Sequence, residues 1–196
     1  MIDPLYLFVF FGLFSPGPNV ILLTTSGARF GFAATVPHLL GVAAGVGVTS
    51  ALTGLGIGAL LLEMPMLTAV LRILAAGWML WMAWGLWQAK PAKTGSDKEK
   101  PMTFWQAVLF QWINPKVWAV AFVAVSAYPS GGPPMHEALR LATAFSGINL
   151  GVCLFWTAAG ALLSWLLTSP QVWQIFMRAM ALALAAFSAM VILSGI

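Results

Sequence analysis

Long hydrophobic runs, interrupted at intervals by proline, glycine and a few charges, set the pattern of this chain. Charged side chains are missing from residues 4–28, 30–62, 73–89, 101–115, 117–136, 141–177 and 179–196. A helix that crosses a bilayer needs roughly 20 predominantly apolar residues, and most of these runs reach that length. Breakers and charges mark out six spans, about Pro4 to Thr24, Thr35 to Leu62, Pro65 to Trp87, Met102 to Tyr128, Glu137 to Leu167 and Pro170 to Ile196. The run 141–177 is too long for one helix, but Thr168-Ser169-Pro170 divides it. Glu63-Met64-Pro65 and the stretch from Pro129 to Pro134 interrupt the chain in the same way, since proline and glycine end helices. Residues 88–101, QAKPAKTGSDKEKP, form a polar linker.

Composition agrees with this pattern. Of 196 residues, 61% are apolar and 7% charged, against about 45–50% and about 25% in soluble domains. The predicted fold is an all-α membrane protein, with residues 1–196 forming a single transmembrane domain. A membrane β-barrel would alternate in hydrophobicity over segments of about 10 residues, and these runs do not. The net charge of +4 comes from nine Lys and Arg scattered over loops, so no nucleic-acid footprint is present. The single cysteine, Cys153, excludes an intrachain disulfide, a thiolate metal cluster and a redox pair. Asp3 stands where a cleavable signal would carry basic residues, so the first span is expected to stay.

Six spans place Arg29, Lys90, Lys93, Lys98, Lys100 and Arg178 on one side, and Arg72 and Arg140 on the other. The positive-inside rule then puts the 88–101 linker in the cytoplasm and both termini outside. Trp78, Trp81, Trp84 and Trp87 recur every three residues and read as a lipid-facing or interfacial stripe.

The linker separates two halves of three spans, a first repeat of about residues 1–89 and a second of about 102–196. Phe11-Gly-Leu-Phe-Ser15-Pro16 precedes Phe110-Gln-Trp-Ile-Asn114-Pro115 by 99 residues, and Gly41-x-x-x-Gly45 precedes Gly147-x-x-x-Gly151 by 106. Gly58-Ala-Leu-Leu returns as Gly160-Ala-Leu-Leu after 102 residues, and Leu71-Arg72 as Met177-Arg178 after 106. Halves with an odd number of spans enter the membrane from opposite sides. That is the 3+3 inverted-repeat plan of many secondary transporters, whose sites lie near the midplane at interrupted helices. The glycine pairs read as close helix packing, and Cys153 as a small apolar filler.

Two interruptions carry the candidate chemistry. In span 1, Ser15-Pro16-Gly17-Pro18-Asn19 removes backbone donors and frees carbonyls near mid-membrane, which is tolerated only against protein or a wet cavity. In span 4, Asn114-Pro115-Lys116 lies at the equivalent depth, and Lys116 is the one charge between residues 101 and 136. An ammonium at a helix centre costs roughly 2.5–3.5 kcal/mol on insertion scales. It therefore calls for a partner, an aqueous cavity or a shifted pKa. A broken helix offers N–H groups to an anion and carbonyls to a cation, and an amino acid carries one group of each sign. Lys116 and nearby N–H groups could hold a carboxylate. Carbonyls around Phe14 and Ile113, with Asn19 and Gln111, could hold an ammonium. Asn149, in mid-span 5, either bonds across helices or lines the path. Apart from Glu137 at the very start of span 5, no Asp or Glu lies within a span, which leaves Lys116, and more weakly His38 after Pro37, as proton-coupling candidates.

With these residues the chain resembles the LysE/RhtB family of bacterial amino-acid exporters. The resemblance runs through Ser15-Pro16-Gly17-Pro18-Asn19 and Gly31-Phe32, then Pro37-His-Leu-Leu-Gly41-Val-Ala-Ala-Gly45. It continues through Leu71 to Trp84, Phe104-Trp105 and Gln111-x-x-Asn114-Pro115-Lys116, and so covers nearly the whole chain. It implies six helices, residence in the inner membrane and proton-driven efflux of amino acids or close derivatives. Lys100-Pro-Met-Thr-Phe-Trp105 and Asn149-Leu-Gly-Val-Cys153 are similar to cysteine and O-acetylserine exporters within the family. Asn19 stands where some relatives carry Asp, and Gln111 where Asn is frequent. Asn19 offers no carboxylate to a cationic side chain, so neutral or small substrates are favoured over lysine or arginine.

An enzyme would need clustered Asp, His or Cys, which the spans lack, and no cofactor or metal is implied. The expected partners are the amino acid, protons and the lipid bilayer, and a homo-oligomer is left open. A channel or scaffold without coupled transport is the alternative reading.

Overall fold

A computed structural model describes residues 3–57, 63–89, 100–167 and 169–193. Most of the polar linker, with Lys90, Lys93 and Lys98, lies outside the described residues, as do Thr168 and the Gly58-Ala-Leu-Leu motif.

The described residues form helices and connecting turns, with no strand among them. Helix α1 (Pro4–Phe14) begins where the Asp3 carboxylate accepts the Leu5 N–H at 2.9 Å, with Pro4 in the first turn. Proline suits that position because its missing N–H would have no intrahelical partner. The helix stops at Phe14 because Ser15 precedes Pro16 and takes an extended conformation, φ −59° and ψ 145°. Gly17 is fully extended, and Pro18 opens α2 (Pro18–Phe30), which leaves α1 at 58°.

Gly31, at φ 81°, turns the chain into α3 (Phe32–Gly54). Helix α4 (Pro65–Trp87) follows. Thr103 and Gln106 then form a reciprocal cap that starts α5 (Phe104–Ile113). Asn114, extended before Pro115, ends α5 and caps α6 (Pro115–Ala127) by accepting the Lys116 N–H at 3.2 Å. The second bend is 64°. Helices α7 (Pro134–Leu163) and α8 (Pro170–Leu193) complete the chain.

Four of these helices are long and apolar enough to cross a membrane, and the count rises to six if each bent pair is one span. The element order is a bent pair followed by two long helices, twice over. Helices α3 and α7 share the largest interface, and α4 packs chiefly on α8. One apolar core joins α1, α3, α6 and α7 through Leu5, Val9, Val42, Ala121, Leu141 and Phe145. Cys153 is buried in the same core, as a filler would be. A second core joins α2, α4 and α8 through Ile21, Met79, Leu86, Trp173, Met177 and Leu184. Trp81, Trp84 and Trp87 are exposed, whereas Trp78 is partly buried and tilts against Phe110.

The glycine pairs behave unequally. Gly41 and Gly45 of α3 press on α5, where an added Cβ would overlap Phe104 O and come within 2.7 Å of Gln111 Cγ. Gly147 and Gly151 of α7 are exposed, with nothing within 4 Å of an added Cβ. The expected close packing there is therefore corrected, because no helix among the described residues covers that face. The tight crossing on α7 lies at Gly160 against Thr24 O and, reciprocally, at Gly27 of α2 against Thr157 O.

Candidate functional site

The two breaks meet. Lys116, in the first turn of α6, reaches across to the end of α1, where its Nζ donates to Ser15 O, to Ser15 Oγ at 2.9 Å and to Pro16 O at 3.3 Å. Ser15 Oγ in turn donates to Gly12 O at 2.9 Å. These carbonyls are free because the α-helical ladder lapses between Ser15 and Pro18 and resumes with Ile21 N–H on Gly17 O. They also form the negative end of the α1 dipole. The ammonium is therefore held by oxygens of another helix.

Beside this contact lies a closed amide cluster. Asn19 Nδ2 donates to Gln111 Oε1 at 2.8 Å, and Gln111 Nε2 returns a bond to Asn19 Oδ1 at 3.2 Å. Gln111 Nε2 also donates to Ala107 O at 2.9 Å, and Asn114 Nδ2 to Gln111 Oε1 at 3.3 Å. Gln111 and Asn114 are buried, so the cluster fixes one break against the other. A buried amide without such partners would cost about 1–3 kcal/mol.

Between contact and cluster sits a cavity of about 10 Å³ lined by Leu13, Gly17, Asn19, Val20, Asn114, Lys116, Val117 and Asn149. That volume holds about one water-sized group and no amino acid. Its polar lining is rich in donors. Gly17, Asn19 and Val20 stand at the start of α2, where the first N–H groups have no intrahelical partner. Asn149 is buried, and its Nδ2 has no hydrogen-bond partner.

Of the residues expected from sequence, Ser15, Pro16, Gly17, Pro18, Asn19, Gln111, Asn114, Pro115, Lys116 and Asn149 fall in or beside this region. His38 does not line the cavity. It is buried in α3, with Nδ1 unpartnered. The carbonyls that meet a cation belong to Ser15 and Pro16, one and two residues beyond Phe14.

A cluster that the sequence reading missed ties the start of α1 to the start of α7. Arg140 donates to Asp3 Oδ2 at 2.8 Å, to Tyr128 O at 2.7 Å and to Glu137 Oε1 at 3.2 Å. Glu137 Oε2 in turn accepts the Ser130 N–H at 3.0 Å. The i,i+3 spacing of Glu137 and Arg140 was a visible signal, whereas Asp3 lies 137 residues from Arg140.

Comparison with known proteins gives this geometry its context. The family model described as LysE type translocator matches residues 10–195. The chain belongs to that family. Family membership makes it a membrane translocator and not an enzyme. It is 27% identical over 165 residues to a cysteine/O-acetylserine efflux protein of Klebsiella pneumoniae subsp. pneumoniae, covering 83% of this chain and 79% of that protein. It is also 26% identical over 155 residues to cysteine/O-acetylserine efflux proteins of Salmonella choleraesuis and Salmonella typhimurium, covering 76% of each partner in the comparison. No solved structure matches the chain.

Proposed function

We propose that this translocator exports amino acids or their close derivatives, with small neutral ones favoured, through the point where its two broken helices meet. The observation that carries this reading is the pairing of opposite polarities. Carbonyls at the end of α1 suit an ammonium, and the α2 N-terminus, Lys116 and Asn149 suit a carboxylate. A zwitterion presents both groups. The names of the efflux relatives support the amino-acid class, and the neutral Asn19 favours a substrate with an uncharged side chain.

In this reading the two halves are inverted repeats, the linker side faces the cytoplasm and both termini face the periplasm across the inner membrane. Export draws on the proton gradient, with Lys116 and His38 as the residues that exchange protons. A cavity of that size at the meeting point suits a carrier that must open to load.

The test uses purified protein in liposomes with a panel of labelled amino acids and an imposed pH gradient. Saturable exchange that responds to the gradient is the expected result. Fast unsaturable flux would make the protein a channel, and no flux with any amino acid would overturn export. Lys116→Ala is expected to insert in the membrane and to lose export. Normal transport by that variant would remove the lysine from the binding role.

A further inference from the structure

Every acceptor used by the Lys116 ammonium is neutral. It spends its three donors on two carbonyls and a hydroxyl, and no carboxylate among the described residues pairs with it. An oxygen-lined place that holds one primary ammonium without a counter-anion will hold another. The lysine stem reaches it by lying over Gly17, where a Cβ would come within 2.8 Å of Lys116 Cδ and 2.9 Å of Nζ. The donor-lined cavity shares both Gly17 and Lys116 with this place. Acceptors filled by the protein's own cation therefore adjoin donors that include the unpartnered Asn149 amide.

We propose that Lys116 is a tethered stand-in for the ammonium of the substrate, and that ligands need both a free α-ammonium and a free carboxylate. This inference rests on the export reading above. In the empty carrier the lysine fills the oxygen seat at the end of α1. An arriving zwitterion places its own ammonium on Ser15 O and Pro16 O, and the displaced Lys116 turns to the carboxylate. Neither charge is left without a partner at any stage. A ligand with ammonium but no carboxylate evicts the lysine and gives it nothing in return. A ligand with carboxylate but no ammonium would draw the lysine away and leave the seat empty.

Binding to the purified full chain tests this with O-acetyl-L-serine, L-serine and L-leucine, each compared with its methyl ester and its N-acetyl form. The wild type is expected to prefer the free amino acid to both derivatives on the order of tenfold or more, as for loss of a charged hydrogen bond. Lys116→Met, which keeps the stem and loses the charge, is expected to reverse the order for the esters. The seat is then empty, so the ester gains affinity while the free amino acid loses its carboxylate partner. Gly17→Ala gives an independent reading. The backbone there is extended and accepts alanine, and the added methyl pushes the lysine end aside, so ester affinity should rise several-fold with Lys116 still present. If the wild type binds none of the amino acids, the export reading falls and this proposal with it. If the wild type binds them but neither variant improves ester binding, the tethered stand-in alone is overturned.

Discussion

At the scale of single residues, the site is a set of polar groups that satisfy one another across the two breaks. Gln111 is the hub, bonded to Asn19, Asn114 and Ala107 O. Gln111→Leu keeps the volume and strips these bonds, leaving Asn19 and Asn114 without their partner. A destabilisation of about 1–2 kcal/mol is expected, at the upper end of measured membrane hydrogen bonds because several are lost together. Thermal unfolding in detergent would read it. A double-mutant cycle between Asn19→Ala and Gln111→Ala should show a coupling of about 0.5–1.5 kcal/mol, and zero coupling would mean that the amide pair does not hold the breaks together. Much of this was legible in the sequence. Polar residues beside proline in charge-free spans are costly at mid-membrane unless they are used, which singled out Asn19, Asn114 and Lys116. The acceptors of Lys116 were harder to read, because a carbonyl oxygen has no residue type and only the path of the broken helix decides which ones are free.

At the scale of elements, proline placement explains the breaks and glycine placement explains how closely the helices approach. Pro16, Pro18 and Pro115 each remove a helix donor and force the preceding residue out of the helical region. Two short segments therefore stand in place of each long helix. The glycines divide into contrasting classes. Gly27→Ala and Gly160→Ala put a methyl onto the backbone of the facing helix, and each is expected to cost about 1–3 kcal/mol as α2 and α7 are forced apart. Gly147→Ala and Gly151→Ala meet nothing, so they should be neutral or gain about 0.5–1 kcal/mol from helix propensity. Melting temperatures of the four variants decide it, and equal losses at all four would contradict the packing described here. The sequence pattern treated Gly41-x-x-x-Gly45 and Gly147-x-x-x-Gly151 as equivalent. Spacing shows that small residues share a helix face, but not whether another helix lies on that face.

At the scale of the whole molecule, the apolar spans were readable from the charge-free runs, whereas the contacts that join distant spans were not. Asp3 and Arg140 illustrate this, since each looked like a loop charge and the fold brings them within 2.8 Å. The Arg140 guanidinium, donating to the Asp3 carboxylate, holds that carboxyl below its ordinary pKa, and the Leu5 N–H adds to the effect. A depressed folded-state value means that this stabilisation is present above the unfolded pKa and is lost as the pH falls through the folded one. The tie between the starts of α1 and α7 should therefore weaken in the acid range below ordinary carboxylate titration, and added salt should weaken it at neutral pH. Glu137 faces the same guanidinium, so the acid response of the wild type sums more than one carboxylate. Asp3→Asn isolates the aspartate, because asparagine can still cap α1 but cannot ionise. Its melting temperature should fall below the wild type at neutral pH, and the gap should close as acid protonates Asp3. A gap that persists unchanged in acid would show that Asp3 contributes through the cap alone, and that its charge does not hold α1 to α7.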